Sequence, residues 1–166
     1  MNIITEENNL LRKKSVPILK ESPKYMNNLI HNMIDLLIES KGVGLAAPQV
    51  GVNKRVFIAV LDLERIEVFV NPVILSCSEE MELDEEGCLS VPGKVGDVLR
   101  HKSITIRYFN GKEIKTATFE GLNARIIQHE YDHLNGVLYT DKAEAIRDRE
   151  PIEKSALIEP TQTMSH

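Results

Sequence analysis

Apolar residues recur at helical spacing in one N-terminal stretch, where Met26, Leu29, Ile30, Met33, Ile34 and Leu37 follow the i, i+3, i+4 rhythm of a single buried stripe. Ser22-Pro23 ahead of them offers a side-chain cap and a first-turn proline, and Lys41-Gly42 offers a basic last turn and a C-cap glycine. The pattern predicts an amphipathic helix over residues 23–40. The apolar loop VGLAAPQVG comes next, and the rhythm then changes. Residues 55–63 (RVFIAVLDL) and 66–70 (IEVFV) are β-branched and apolar and read as strands, the second stopping at Asn71-Pro72. SITIRYF and KTATFE flank Asn110-Gly111, with Ile104, Ile106 and Tyr108 on one face, and read as a β-hairpin. After Gly121, residues 122–134 contain no proline or glycine and end at Asn135-Gly136. They place Leu122, Ile126, His129 and His133 at i, i+4, i+7 and i+11, a helix whose core-facing stripe holds two histidines. The expected class is α+β, with short, mostly antiparallel strands packed around the helix that carries those histidines.

Composition narrows the picture. At 166 residues, 42% apolar and 27% charged, the chain has enough material for one buried core. Residues 1–140 read as one domain, and residues 141–166 as a tail with a short helix to about Glu150 followed by a flexible end. The net charge of −5 argues against a broad surface for polyanions. With 5% aromatics and no Trp there is no stacking platform either, so specific nucleic-acid binding is not expected. No stretch reaches the roughly 20 apolar residues of a membrane span, and the acidic, polar start MNIITEENNL lacks the basic-then-apolar order of a leader. The chain reads as cytoplasmic and not membrane-bound. Its two cysteines, Cys77 and Cys88, are expected to be reduced.

The predicted second helix contains His129-Glu130-Tyr131-Asp132-His133, an HExxH pattern that sets two imidazoles one turn apart beside a carboxylate. Two histidines on an apolar stripe need either hydrogen-bond partners or a metal. Catalytic metals of this kind usually take three protein ligands and keep one position for water, so a third ligand is sought outside the helix. Cys88, in Glu86-Gly87-Cys88-Leu89-Ser90, is the better candidate, because its glycine neighbour permits close backbone approach. Cys77 lacks such a setting and reads as an ordinary thiol.

Three segments then stand in order: GVGLAAPQ at residues 42–49, EGCLS at 86–90 and QHEYDHL at 128–134. Together they resemble the three motifs of bacterial peptide deformylase, and the resemblance spans about residues 5–140. It implies one divalent metal ion per chain, held by Cys88, His129 and His133. It also implies Glu130 as general acid and base, with Gln49 and the Leu89 backbone N–H holding the oxyanion. The reaction implied is removal of the formyl group from N-formyl-methionyl nascent polypeptides, with transient proximity to the ribosome. Gly44 would pair with the substrate main chain, while Val43, Leu122, Ile126 and the aliphatic stem of Arg125 would receive the methionine side chain. Glu86 and Arg100 would pair to brace the metal loop. A Cys and two His donors suit zinc on general grounds. The resemblance implies ferrous iron as the native ion, with zinc, nickel or cobalt able to occupy the site. Lys94-Val95 departs from the Arg or aromatic residue that many family members carry near the substrate, and with Pro151 and Pro160 the tail is not expected to form the long C-terminal helix that some members use to dock on the ribosome, so docking through it is not predicted. On the residues alone, two alternatives stand beside this reading: an HExxH peptidase cutting internal bonds, and a metal-stabilised binding module.

Overall fold

A computed structural model describes residues 1–150; the expected flexible end beyond Glu150 lies outside the described residues. Helix α1 spans Pro23–Ser40, with the Ser22 hydroxyl capping the Tyr25 N–H and Leu29, Met33 and Leu37 buried. Its left-handed C-terminal residue is Lys41 (φ 56°) and not the expected Gly42. Gly42 is small for a packing reason, since a Cβ there would come within 2.9 Å of the Leu89 side chain.

Five antiparallel strands form the larger sheet, in the order β1 (Gly44–Ala46), β2 (Val56–Leu61), β3 (Arg65–Cys77), β6 (Ser103–Phe109) and β7 (Ile114–Glu120). The hairpin across Asn110-Gly111 is present, with Phe109 opposite Ile114. Strand β3 does not stop at Asn71-Pro72. Its ladder shifts between Val70 and Val73, so the proline falls in an irregularity where no ladder N–H is required. Asn71 takes φ 48° there, and its side-chain amide exchanges hydrogen bonds with the backbone of Ile18 at 2.8 and 2.7 Å.

A second sheet is built from β4 (Met81–Cys88), β5 (Val91–His101) and β8 (Glu144–Asp148), all antiparallel. Helix α2 (Gly121–Leu134) packs against strands of both sheets. The short helix expected before Glu150 is instead β8, a correction with a tertiary cause. Lys94 pairs in register with Asp148 and binds it at 2.5 Å, while Arg147 reaches Glu85 at 2.6 Å and Asp97 at 3.2 Å. Those edge contacts override the modest helix preference of residues 144–148. Leu122, expected on the core stripe of α2, is half exposed, because the helix is enclosed along Ala124–Gln128 on several sides at once.

A buried guanidinium finishes α2. Arg55 donates to the Leu134 carbonyl at 2.9 Å and the Asn135 side chain at 3.1 Å, supplying donors and positive charge to a helix C-terminus. The turn of helix bearing His133 is thereby held in place.

Candidate metal centre and its cavity

Strand β4 delivers Cys88 at its end, and α2 delivers His129 and His133. Their three ligand atoms lie within 4.8 Å of one another, with Cys88 Sγ 3.3 Å from His133 Nε2. The imidazole rings stand 5.2 Å apart at 66°, and the Tyr139 ring stacks on His129 at 6.0 Å. His129 Nδ1 lies 2.8 Å from Glu86 Oε1, which keeps a proton on that nitrogen and makes Nε2 the one that would give up its proton to bind a metal.

Glu86 is itself surrounded. Arg100 binds it through two nitrogens, each at 2.9 Å, and Arg125 adds a third contact at 2.6 Å. Arg100 continues to Asp132 at 2.6 Å, and Arg125 caps the carbonyls of Val98 and Glu82 at 2.8 and 2.7 Å. The Glu86–Arg100 pair expected from the sequence is therefore buried and part of a larger network. Burial opposes the charge on Glu86, but the hydrogen bonds from His129 and Arg100 outweigh it and hold the carboxyl at about 2.

Burial also works against charge on both imidazoles. For His129, the hydrogen bonds with Cys88 and Glu86 overcome it and push the pKa up to about 10. His133 gains nothing comparable from its contact with Cys88, so burial, then repulsion from His129 and Arg100, hold it well below its ordinary value. One thiol and two imidazole nitrogens thus converge within 4.8 Å, with Glu130 Oε1 3.9 Å from His129 Nε2 beside them. A borderline divalent cation fits that donor set, and the residues present are suited to hold one.

Gln49 is buried, and its Oε1 accepts the Ala46 N–H at 2.9 Å. That contact fixes the amide so that Nε2 points toward Cys88 Sγ (3.5 Å) and Ser90 Oγ (3.2 Å). Glu130 is buried, and its Oε2 has no hydrogen-bond partner. Burial raises its pKa to about 7, with His129 opposing and Glu86 adding to the rise. Gly44 packs directly on this side chain, since a Cβ at Gly44 would lie 2.7 Å from Glu130 Oε1.

The centre opens into a cavity of about 460 Å³. Of the residues singled out from the sequence, Val43, Gly44, Gln49, Cys88, Leu89, Leu122, Arg125, Ile126, His129 and Glu130 all line it. His133 lies buried beside Cys88 and is not part of its surface. Arg125 contributes its stem, because its head is turned onto Glu86 and two carbonyls. Sequence reasoning missed Ser90, Asp132, Tyr139 and the wall formed by Val91, Pro92 and Gly93. Asp132 sits inside the HExxH segment, yet nothing in its spacing shows that it faces Arg100. The wall is missed because β4 is acidic and largely exposed, and β5 holds Pro92, Gly93 and Gly96.

The chain is similar to known proteins over most of its length. The family described as polypeptide deformylase matches residues 1–149. A curated peptide deformylase from Pseudothermotoga lettingae is 46% identical over 134 residues, covering 80% of this chain and 76% of that protein. The crystal structure of peptide deformylase from Thermotoga maritima superposes with a TM-score of 0.83 at 38% identity, covering 86% of this chain and 97% of that one. The Met-Ala-Ser-bound class I type b peptide deformylase from Acinetobacter baumannii gives 0.81 at 36% identity, over 86% and 97% of the two chains.

Proposed function

The chain belongs to the polypeptide deformylase family, metal-dependent hydrolases that remove the N-formyl group from nascent polypeptides, and from that premise we propose that the cavity above Cys88, His129 and His133 is where it does so. The observation that carries the reading is the meeting, in one cavity, of those three donors with a buried carboxylate, Glu130, that has a free oxygen.

Cys88, His129 and His133 hold one divalent ion, ferrous iron in the native enzyme, with zinc, nickel or cobalt able to take its place. When bound, the ion supplies Lewis acidity, which acidifies water and balances negative charge growing on a carbonyl oxygen. Glu130, poised near neutrality, takes a proton from the attacking water. Oxygen bonds to the formyl carbon, the carbon–nitrogen bond breaks, and Glu130 returns the proton to the departing amine. Formate and a free N-terminus result. The Gln49 amide, already fixed by Ala46, donates to the developing oxyanion together with the Leu89 N–H, each donor contributing roughly 3–4 kcal/mol.

β1 is an edge strand, bonded on one side to β2, so its open edge at Gly44 is available to the substrate main chain. The methionine side chain enters between Val43, Leu122, Ile126 and the stem of Arg125. Acting on nascent chains, the enzyme works in the cytoplasm close to the ribosome, without binding a specific nucleic acid or a membrane.

Formyl-Met-Ala-Ser tests the reading. Formate without chain fragments supports it; shorter fragments would indicate a peptidase, and no reaction a binding module. Metal analysis of two variants tests the ligand set. Cys88→Ser is expected to lose or change its metal and Cys77→Ser, at an exposed thiol, to keep it; equal loss in both would remove Cys88 from the set.

A further inference from the structure

The charges lining the cavity are balanced unevenly. Glu86 is met by Arg100 and Arg125, and Glu85 by Arg147. The ion pairs of the described residues leave two lining cations without a carboxylate, Lys41 and Arg149. Lys41 sits at the end of α1, where its backbone is committed to the helix cap. Arg149 is placed more closely. It comes directly after β8, and its N–H donates to the Gly93 carbonyl at 2.8 Å. Its guanidinium lies over Gly87, so near that a Cβ at Gly87 would stand 2.6 Å from Nη2. Gly87 adjoins Cys88, which sets this cation one residue from the ligand cluster, on the β4–β5 side of the cavity. Residues 42–44 line the same cavity from the β1 side.

A peptide whose formyl group reaches the centre extends its next residues past this rim. We propose that Arg149 is a specificity-determining residue that reads a side-chain carboxylate on the second or third residue of the formylated peptide. The planar fork of a guanidinium matches a carboxylate in a two-point contact that a neutral amide of the same shape cannot equal. The inference rests on the cavity being the substrate site, and it concerns only the peptide residues beyond the methionine.

The test compares amidated peptides, which carry no terminal carboxylate: formyl-Met-Glu-Ala and formyl-Met-Ala-Glu, each against its Gln counterpart. Because Arg149 is exposed, the expected gain is modest, a KM lower by about 2–5-fold for the Glu peptide at one of the two positions, with kcat shared. Arg149→Ala should bring that ratio to one, Arg149→Lys should keep part of it, and Arg149→Glu should reverse it and favour a Lys peptide. Lys112→Ala, a charge removed from the remote β6–β7 turn, should leave the ratio as in the wild type. A wild-type ratio of one at both positions, or a ratio that survives Arg149→Ala, overturns the proposal. Failure of the cavity reading looks different: the wild type would release formate from none of the peptides, and the inference about Arg149 would fall with it.

Discussion

Helix α2 meets the two sheets with different chemistry. Toward the larger sheet it presents Ala124, Ile127, Tyr131 and Leu134, which pack among Phe57, Phe69, Ile104 and Ile106. Toward the smaller sheet it presents Arg125, Gln128, His129 and Asp132, which bond to Glu86, Val98, Arg100 and His101. Between these faces Ile126 and Glu130 meet the cavity, and His133 meets Cys88. Both faces exclude water, but they serve unlike ends. The apolar face stabilises in proportion to the area it buries and tolerates small shifts. The polar face is directional: each bond orients a particular atom, and the one at His129 Nδ1 aims a candidate ligand.

The difference is sharpest when one residue is removed from each face. Glu86→Gln leaves the buried Arg125 without a carboxylate and Arg100 with Asp132 alone, which is expected to cost about 3–5 kcal/mol. It should also lower metal affinity by about 10–100-fold, because His129 loses the acceptor that orients it. Ile127→Ala, in the apolar face, should cost a comparable ~2–5 kcal/mol and leave metal affinity unchanged. Chemical denaturation and metal titration of the two variants check this. Equal effects on metal binding would mean that the faces do not divide the work.

Glu130 lies on the third side of the helix and separates chemistry from both. Glu130→Ala is expected to reduce turnover at least ~100-fold while metal content stays at one ion per chain, since a positioned acid and base contributes that much and Glu130 is not a ligand. Formate release by a fully metallated variant decides it, and retained activity would remove Glu130 from its role.

These faces also explain what the sequence made legible. Helix α1 has one face in the core and one in water, so its period was visible and its bounds, Pro23–Ser40, stem from the cap, the proline and the stripe. Strands β2, β6 and β7 likewise announce themselves by β-branched and alternating residues. Helix α2 has three buried sides, so reading Leu122, Ile126, His129 and His133 as one core stripe merged residues that serve different neighbours. The grouping of Cys88, His129 and His133 was legible, because HExxH and EGCLS carry chemistry in their spacing. Their supports were not, since Arg100, Asp132 and Tyr139 come from distant positions and their partners are set by tertiary packing. The smaller sheet was least legible: its strands are acidic, glycine-containing or short, and β8 exists through its pairing with β5.

The polar face alone should respond to acid, which gives the finest test of the contrast. Glu86, held at about 2 in the folded protein against an ordinary value of 4.5, is a carboxyl with a depressed pKa. Its contribution is therefore present above about pH 4.5 and is withdrawn as pH falls toward 2. A shift of that size corresponds to at most about 3 kcal/mol. Neighbouring groups are present in both proteins, so the titration of His133, held uncharged by burial, enters both stabilities and not their difference. His129 is protonated below about pH 5 whether folded or not, and Glu130, raised to about 7, is already protonated in the folded state there. In the metal-free protein, the stability difference between wild type and Glu86→Gln should shrink from pH 5 to pH 2.5. The difference between wild type and Ile127→Ala should stay constant over the same range, because burial of an isoleucine does not titrate. Denaturant unfolding at several pH values measures both. A Glu86→Gln difference that is flat across this window would show that the network acts by shape and hydrogen bonding rather than by the charge on its central carboxylate.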